Sequence, residues 1–397
     1  MWKTNQLTSR KILAWFLIKS MNGNQQRLPR DNFTSIVLLI ALMRNIIFDC
    51  ERMKYPHTGI YYYCLHLGRE LLCMSDSTRE SISLFLPKNM QDRFRNEAHA
   101  GFIHQSSLRK FWLPPLGKYH IWHSTYQNTE YLPERNRRLK VVLTIHDLNF
   151  MYDEHKPRFK KEKHLRRLQH NINRADAIVC ISDYCRQDVL LHCETGNKPV
   201  HIIHNGTNEL PEPVLSSGAY KPNRKFLFSV GVVNRKKNLH ALLPLLQQNN
   251  MEWLVAGRDD DRSYKEYVLS QAREMGVEDR FHLLGTVSEQ EKSWYYHNCY
   301  AFATASLAEG FCLPVTEAMS AGKPLFLSPR TALPEIGGQV AFYFPSFNPG
   351  QMQHTFLQGM HLYEGNNMQQ AIRERAAGFS WETAAKSYLD VYRGLID

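Results

Sequence analysis

The chain reads SLAEGFCLPVTEAMSAGKPLF from Ser306 to Phe326, and its two glutamates, Glu309 and Glu317, are separated by seven residues that include Gly310 and Pro314. Pro314 suits the first position of a helix, where its missing N–H costs nothing, and Gly322 suits the position after the last turn. A short helix over 314–321 is therefore predicted, with Glu317 in its first turn and Glu309 in the loop before it. The amides of Gly310, Phe311 and Cys312 lie beside its N-terminus. Exposed N–H groups and the positive end of a helix dipole form an anion site. A diphosphate could sit there while each carboxylate takes hydroxyl groups of a sugar. On these residues alone a second reading stays open, in which Glu317 complements the dipole and Glu309 is a solvated loop charge.

A second cluster lies in SVGVVNRKKNL, Ser229–Leu239, where Arg235, Lys236 and Lys237 stand just beyond Gly231. Cations at the end of a strand would neutralise the charge that builds on a departing diphosphate; a solvated charge run would look the same. His146 ends the apolar run VVLTIH (141–146), a place where a histidine can equally be a hydrogen-bonded structural residue. Asp259, Asp260 and Asp261 imitate a metal-binding Asp-x-Asp, but they lie between WLVAG and a helix. Capping of that helix accounts for them, and no metal is expected.

The elements that must position these residues alternate. Candidate strands are NIIFD (45–49), SISLFL (81–86), KYHIWH (118–123), VVLTIH (141–146), AIVCIS (177–182) and VHIIHN (200–205). Helical patterns such as 61–74 and 160–175 lie between them. Residues 211–224, PEPVLSSGAYKPNR, break the alternation as a linker; it restarts with KFLFSVG (225–231), EWLVAG (252–257), RFHLLG (280–285), YAFATA (300–305) and KPLFLS (323–328). Apolar strands alternating with helices indicate parallel sheets covered on both faces. The expected fold class is α/β, with two Rossmann-like domains facing a central cleft. One spans 43–215 and the other 225–380, and a helix over 381–397 packs back toward the first. Residues 1–42 form an N-terminal extension.

The 397 residues suit two domains, and 43% hydrophobic with 12% aromatic content excludes wholesale disorder. Charge is divided unevenly: 6 Lys+Arg against 1 acid in residues 1–42, 25 against 19 in 43–220, and 18 against 18 in 221–397. A nucleic-acid binder would carry a basic stripe across both domains, so that class is set aside. A basic half beside a neutral half points to one domain facing an anionic surface. The helical stretch from Lys156 to Arg174, with Leu165, Leu168 and Ile172 at helical spacing, either rests on anionic lipid or is an ordinary surface helix. In the first 42 residues, the run SIVLLIALM (35–43) is too short to span a bilayer. That segment is either a mispredicted start or a membrane-contacting extension. The eight cysteines form no CxxC pair, which suits reduced thiols in a cytoplasmic compartment.

Together these stretches resemble the family-4 retaining glycosyltransferases, which have the two-domain GT-B fold. EGFCLPVTEAMSAGKPL is similar to their E-x7-E motif. HTGI (57–60), VVLTIHDL, ADAIVCISDY, IIHNGTN, SVGVVNRKKN, WLVAG, RFHLLGTVSEQEKSWYY, ALPEIGG and FSW follow in the family's order from about Met43 to the C-terminus. The resemblance implies that Glu317 binds the ribose hydroxyls of a nucleotide and Glu309 those of the transferred sugar. It implies contacts from the amides of Gly310, Phe311, Cys312 and Leu313, a phosphate-binding role for Lys237, and an arginine-like role for Arg235 or Lys236 just beyond Gly231. His146 would reach the donor sugar, and Thr58 and Gly59 would approach the diphosphate.

Three departures stand out. Cys312 replaces the usual second glycine of GFG, Val232 replaces an arginine, and Thr304-Ala305-Ser306 replaces a Pro-Ser pair. The implied reaction is retaining, metal-free transfer of a sugar, first mannose from GDP-mannose because KKN is similar to the RKN of mannosyltransferase-like members. The acceptor would be a glycan or lipid-linked hydroxyl in cell-surface polysaccharide or lipopolysaccharide biosynthesis. The place would be the cytoplasm, peripheral on the inner face of the plasma membrane. Another GT-B enzyme such as a sugar-nucleotide epimerase, or a degenerate sugar-nucleotide-binding subunit, remains as an alternative.

Overall fold

The computed structural model describes residues 44–75, 79–95, 100–113 and 116–396; the N-terminal extension expected over 1–42 lies outside them. Seven parallel strands build the first sheet: β1 (Arg44–Asp49), β2 (Glu80–Leu86), β3 (Gly101–His104), β4 (Ile121–Ser124), β5 (Lys140–Ile145), β6 (Ala177–Cys180) and β7 (Val200–Ile202). Six more build the second: β8 (Phe226–Val230), β9 (Glu252–Ala256), β10 (Phe281–Gly285), β11 (Ala301–Thr304), β12 (Leu325–Leu327) and β13 (Phe342–Tyr343). The strand orders are β3-β2-β1-β4-β5-β6-β7 and β10-β9-β8-β11-β12-β13. Both therefore change direction beside their first strand, between β1 and β4 and between β8 and β11. In doubly wound sheets ligands bind in the crevice at the carboxyl ends of strands at such a switch point. The second of these lies where Gly231 and the loop to Glu309 emerge.

The apolar runs form strands because nearly every residue is buried on one face or the other; β4, β6, β9 and β11 are buried throughout. Two strands escaped the sequence reading. β3 is a four-residue edge strand of intermediate burial, and β13 has two residues, so neither shows the buried apolar run that marks the others. The helix Pro349–Gly365 was missed although its signal is present. Asn348 caps it, Pro349 opens it, and Met352, Phe356 and Met360 make its buried stripe.

The last helix, Trp381–Ile396, lies against the first sheet and the helix Gly59–Met74. Tyr63 donates to the hydroxyl of Tyr388 (2.8 Å), which also lies 2.9 Å from Thr144 Oγ1. His123 Nδ1 is 2.6 Å from the Tyr392 hydroxyl, and burial pushes that imidazole down to about 3, leaving it neutral. At the rim Arg393 donates to the buried Glu80 at 2.9 Å. The chain can cross here only because residue 206 is glycine: a Cβ on it would lie 2.2 Å from the Trp381 nitrogen.

The helix predicted over 314–321 occupies Leu313–Ser320, with Pro314 in its first turn and Gly322 at φ +71° after it. It is entered through Cys312 at φ +80°, ψ +72°. This left-handed conformation costs a residue with a side chain roughly 1–2 kcal/mol and glycine nothing. The thiol is nonetheless buried, at 8% exposure. Cys312→Gly should therefore unfold at the same temperature or above the parent, and Cys312→Val, branched at the strained position, should lose about 1–2 kcal/mol. Thermal melts of the three proteins check this; equal melting of the two variants would contradict the strain.

Candidate functional site

A cleft of about 430 Å³ opens between the two sheets at their carboxyl ends. β8 runs into Gly231 at φ +154°, where a Cβ would lie 2.5 Å from Lys237 Cε; glycine is what lets the lysine chain pass. Asn234 then caps a one-turn 3₁₀ helix, Arg235–Lys237, by accepting from the Lys237 amide at 3.3 Å. Successive residues of such a turn point about 120° apart, so three adjacent cations cannot all face one ligand. Lys236 and Lys237 line the cleft, whereas Arg235 leaves it and stacks over the Tyr264 ring at 5.8 Å. The arginine-like role open to Arg235 or Lys236 is therefore geometrically available to Lys236 alone.

Lys237 Nζ donates to Glu309 Oε1 at 2.7 Å. Glu309 is 8% exposed, and its loop is held by its amide donating to Thr331 Oγ1 at 2.8 Å. Burial works against its charge, but Lys237 and Lys236 outweigh burial and hold the carboxyl down to about 2. Burial likewise opposes the Lys237 charge, and Glu309 outweighs it to raise that ammonium. Both groups are thus charged at neutral pH, in a site where removing one partner of a buried pair costs about 3–5 kcal/mol. The neighbouring Cys312 thiol is pushed up to about 12 by burial and by Glu309, so it stays protonated.

Across the cleft, His146 follows β5. Its Nε2 lies 2.8 Å from the Thr125 carbonyl, to which it donates, and burial lowers its pKa. The ring is therefore neutral, fixed in one tautomer and packed edge-on to Tyr63 at 4.8 Å. The two walls touch through backbone. A Cβ on Gly310 would fall 2.0 Å from the His146 carbonyl oxygen, and Ser182 Oγ donates to the Gly310 carbonyl at 2.7 Å. Glu335 of the second domain caps the helix Asp183–His192 of the first, accepting from the amides of Asp183 (2.8 Å) and Tyr184 (3.1 Å). Thr58, whose Oγ1 accepts from the Tyr61 amide, and Gly59 start the helix Gly59–Met74 at the cleft wall. Phe311, Cys312 and Leu313 complete the opposite wall, with the Phe311 ring turned inward against Phe379 at 5.5 Å.

Glu317 lines the cleft already bonded: Oε1 accepts from Asn208 Nδ2 (2.8 Å) and Lys292 Nζ (3.3 Å), and Oε2 from the Tyr296 hydroxyl (2.9 Å). None of these three partners was singled out from the sequence, although IIHNGTN and RFHLLGTVSEQEKSWYY contain them. Asn205, in the same IIHNGTN, was also passed over. It lines the cleft at 4% exposure, and its Oδ1 finds no hydrogen-bond partner among the described residues. A buried acceptor without a partner costs about 1–3 kcal/mol, and a ligand donor would remove that cost. The three aspartates stand apart: Asp261 caps the helix Arg262–Glu274, Asp259 pairs with Lys265 and Asp260 with Arg258.

The arrangement offers an anion seat at a helix N-terminus, two cations beside it, and carboxylates that accept from hydroxyl groups. Comparison with known proteins places the chain among relatives. Residues 62–209 match the model described as Glycosyltransferase Family 4, and residues 216–377 match Glycosyl transferases group 1. The chain is 25% identical over 391 residues to O-antigen chain mannosyltransferase B of Escherichia coli, covering 88% of this chain and 99% of that protein. It is 26% identical over 231 residues to GDP-mannose:cellobiosyl-diphosphopolyprenol alpha-mannosyltransferase of Komagataeibacter xylinus, covering 56% and 58%. Among solved structures, Anabaena HepE in complex with UDP-glucose superposes with a TM-score of 0.64 at 17% identity, covering 88% of this chain and 99% of that one. The first match takes in β2 to β7 and the second β8 to β13, and the chain accordingly belongs to the group 1 and family 4 glycosyltransferases, with the GT-B fold.

Proposed function

We propose that the enzyme moves mannose from GDP-mannose to a hydroxyl of a glycan or lipid-linked acceptor, with retention of anomeric configuration, in cell-surface polysaccharide or lipopolysaccharide biosynthesis. The observation that carries this reading is the buried Lys237–Glu309 pair beside the N-terminus of the helix Leu313–Ser320, facing His146 across the cleft. The diphosphate lies against that N-terminus, where Lys237 and Lys236 neutralise the charge developing on the leaving group. That supply of positive charge comes from the protein itself, so the reaction runs without a metal. Glu309 takes hydroxyls of the sugar and Glu317 those of the ribose. His146, fixed by its bond to Thr125, sets the acceptor-side wall, with Thr58 and Gly59 near the diphosphate. The departing phosphate receives the acceptor's proton, and apposition of the two domains excludes water from the donor. Relatives named as mannosyltransferases, one of them using GDP-mannose, support this donor.

The acceptor-side domain also fits an anionic membrane surface. Leu108, Phe111 and Trp112 stand out at 78%, 85% and 76% exposure, beside Arg109 and Lys110. A hollow of about 520 Å³ lies between this prong and the basic helix Arg158–Arg174; in it Glu130 pairs with Lys110 and Arg167, and Glu134 with His170. That helix carries Phe159 at 65% exposure. Apolar and aromatic tips flanked by Lys and Arg are the composition of a surface-seated membrane contact. No helix among the described residues is long and apolar enough to cross a membrane.

Two measurements follow. In a nucleotide-release assay over GDP-, UDP-, ADP- and dTDP-sugars with lipid-linked and glycan acceptors, GDP-mannose should turn over, unaffected by chelator. Lys237→Ala should lower kcat by roughly 10²–10³, and Glu309→Ala should also lose activity; normal turnover by both variants would sink the assignment. In co-sedimentation, the full chain should bind phosphatidylglycerol vesicles and not phosphatidylcholine vesicles. Replacing Leu108, Phe111 and Trp112 together by serine should release it; undiminished binding would remove the prong from the membrane reading.

A further inference from the structure

Glu317 offers a ligand hydroxyl less room than a free carboxylate would. Of its oxygens, Oε1 is taken twice, by Asn208 and Lys292, and Oε2 once, by Tyr296. A carboxylate accepts about four hydrogen bonds, so one place remains, on Oε2. Two vicinal hydroxyls cannot both donate into it. Each hydroxyl, however, accepts as well as donates, and the nearest cation is positioned to use this. Lys292 Nζ donates to Glu317 Oε1 at 3.3 Å and to Glu289 Oε2 at 2.9 Å. An ammonium has three N–H groups, and Lys292 lines the cleft together with Glu317. The two side chains are 9% and 3% exposed, so a hydroxyl arriving there meets both in a site largely stripped of water.

The ammonium is anchored from both sides of the cleft. Glu289, its second partner, accepts from the Tyr62 hydroxyl at 2.7 Å, and Tyr62 belongs to the helix Gly59–Met74 of the first domain. The Tyr62 ring also lies under Lys292 Nζ at 5.2 Å. Burial opposes the lysine's charge, but Glu317 and Glu289 outweigh it and keep the ammonium protonated. A donor of fixed charge and fixed position thus stands beside a carboxylate with one vacancy.

We propose that Lys292 and Glu317 act as one diol-reading pair: one ribose hydroxyl donates to Glu317 and the other accepts from Lys292, which makes Lys292 a specificity-determining residue for ribonucleotide donors. This rests on the reading that a nucleotide-sugar donor places its ribose at Glu317.

The test uses the full chain and isothermal titration with GDP, 2′-deoxy-GDP and 2′,3′-dideoxy-GDP. Wild type should prefer GDP over the dideoxy compound on the order of 100-fold, from two charge-assisted hydrogen bonds. Lys292→Met should cut that preference to about 10-fold, the share of the bond to Glu317. Lys292→Arg, which keeps a charged donor, should retain most of it. Lys292→Gln serves where the methionine variant does not fold, and it should lower the preference in the same direction. A variant that weakens all three nucleotides equally, leaving the ratio as in wild type, would show that Lys292 is only a structural partner of Glu317 and overturn the proposal. Should wild type, titrated also with UDP and ADP, bind none of the three ribonucleotides, the nucleotide reading itself fails. Binding of GDP with no preference over its dideoxy form overturns the diol pair alone.

Discussion

The contact on which the cleft depends is between two backbones. Gly310 sits so close to the His146 carbonyl that any side chain on it would overlap that oxygen. The loop carrying Glu309 can therefore approach the end of β5 only as a glycine loop. Close approach sets the distance between the lysine-bound carboxylate on one wall and the fixed imidazole on the other. It also brings Ser182 onto the Gly310 carbonyl and Glu335 onto the helix Asp183–His192. These two contacts use a loop carbonyl and a helix end, groups that no helix or sheet ladder would otherwise satisfy. The domains thus meet through groups that need partners.

Charge in the cleft is buried beside its counter-charge. Lys237 faces Glu309, and Lys292 faces Glu317 and Glu289. A carboxylate and an ammonium removed from water singly would neutralise; removed together they persist. The consequence is a donor site with formal charges kept in register before anything binds, which is the preorganisation that electrostatic stabilisation of a leaving group requires. The cost is that ligand hydroxyls must share carboxylates with protein donors, most visibly at Glu317.

Much of this was legible in the sequence, for reasons that can be named. Strands buried on both faces appear as continuous apolar runs, and Pro314 with Gly322 bracketed the site helix to within one residue. The glycines at 231 and 310 mark turns that only tertiary structure explains. In one case the crossing atom is Lys237 Cε and in the other a carbonyl of the opposite domain. What could not be read was direction. Arg235, Lys236 and Lys237 are equivalent as a string, and the 3₁₀ turn separates them by pointing the first at Tyr264. Lys292 was invisible for a related reason. It lies on the helix Glu289–Asn298, 25 residues before Glu317, and nothing local ties it to the cleft. β3 and β13 are too short and too exposed to carry a pattern.

The return of the last helix to the first sheet has a bearing on how the protein is made. Glu80 is buried in the second strand beside Arg44 of the first, yet its shorter bond, to Arg393, comes 313 residues later; Tyr63 waits 325 residues for Tyr388. On the ribosome the first sheet is synthesised with a buried carboxylate still lacking Arg393 and a hydroxyl network still open, and both are completed only when the helix Trp381–Ile396 docks. Contacts this distant in sequence close slowly, because loop-closure entropy precedes their reward. The packing of the first domain is then conditional on arrival of the helix Trp381–Ile396, which is made after the whole second sheet.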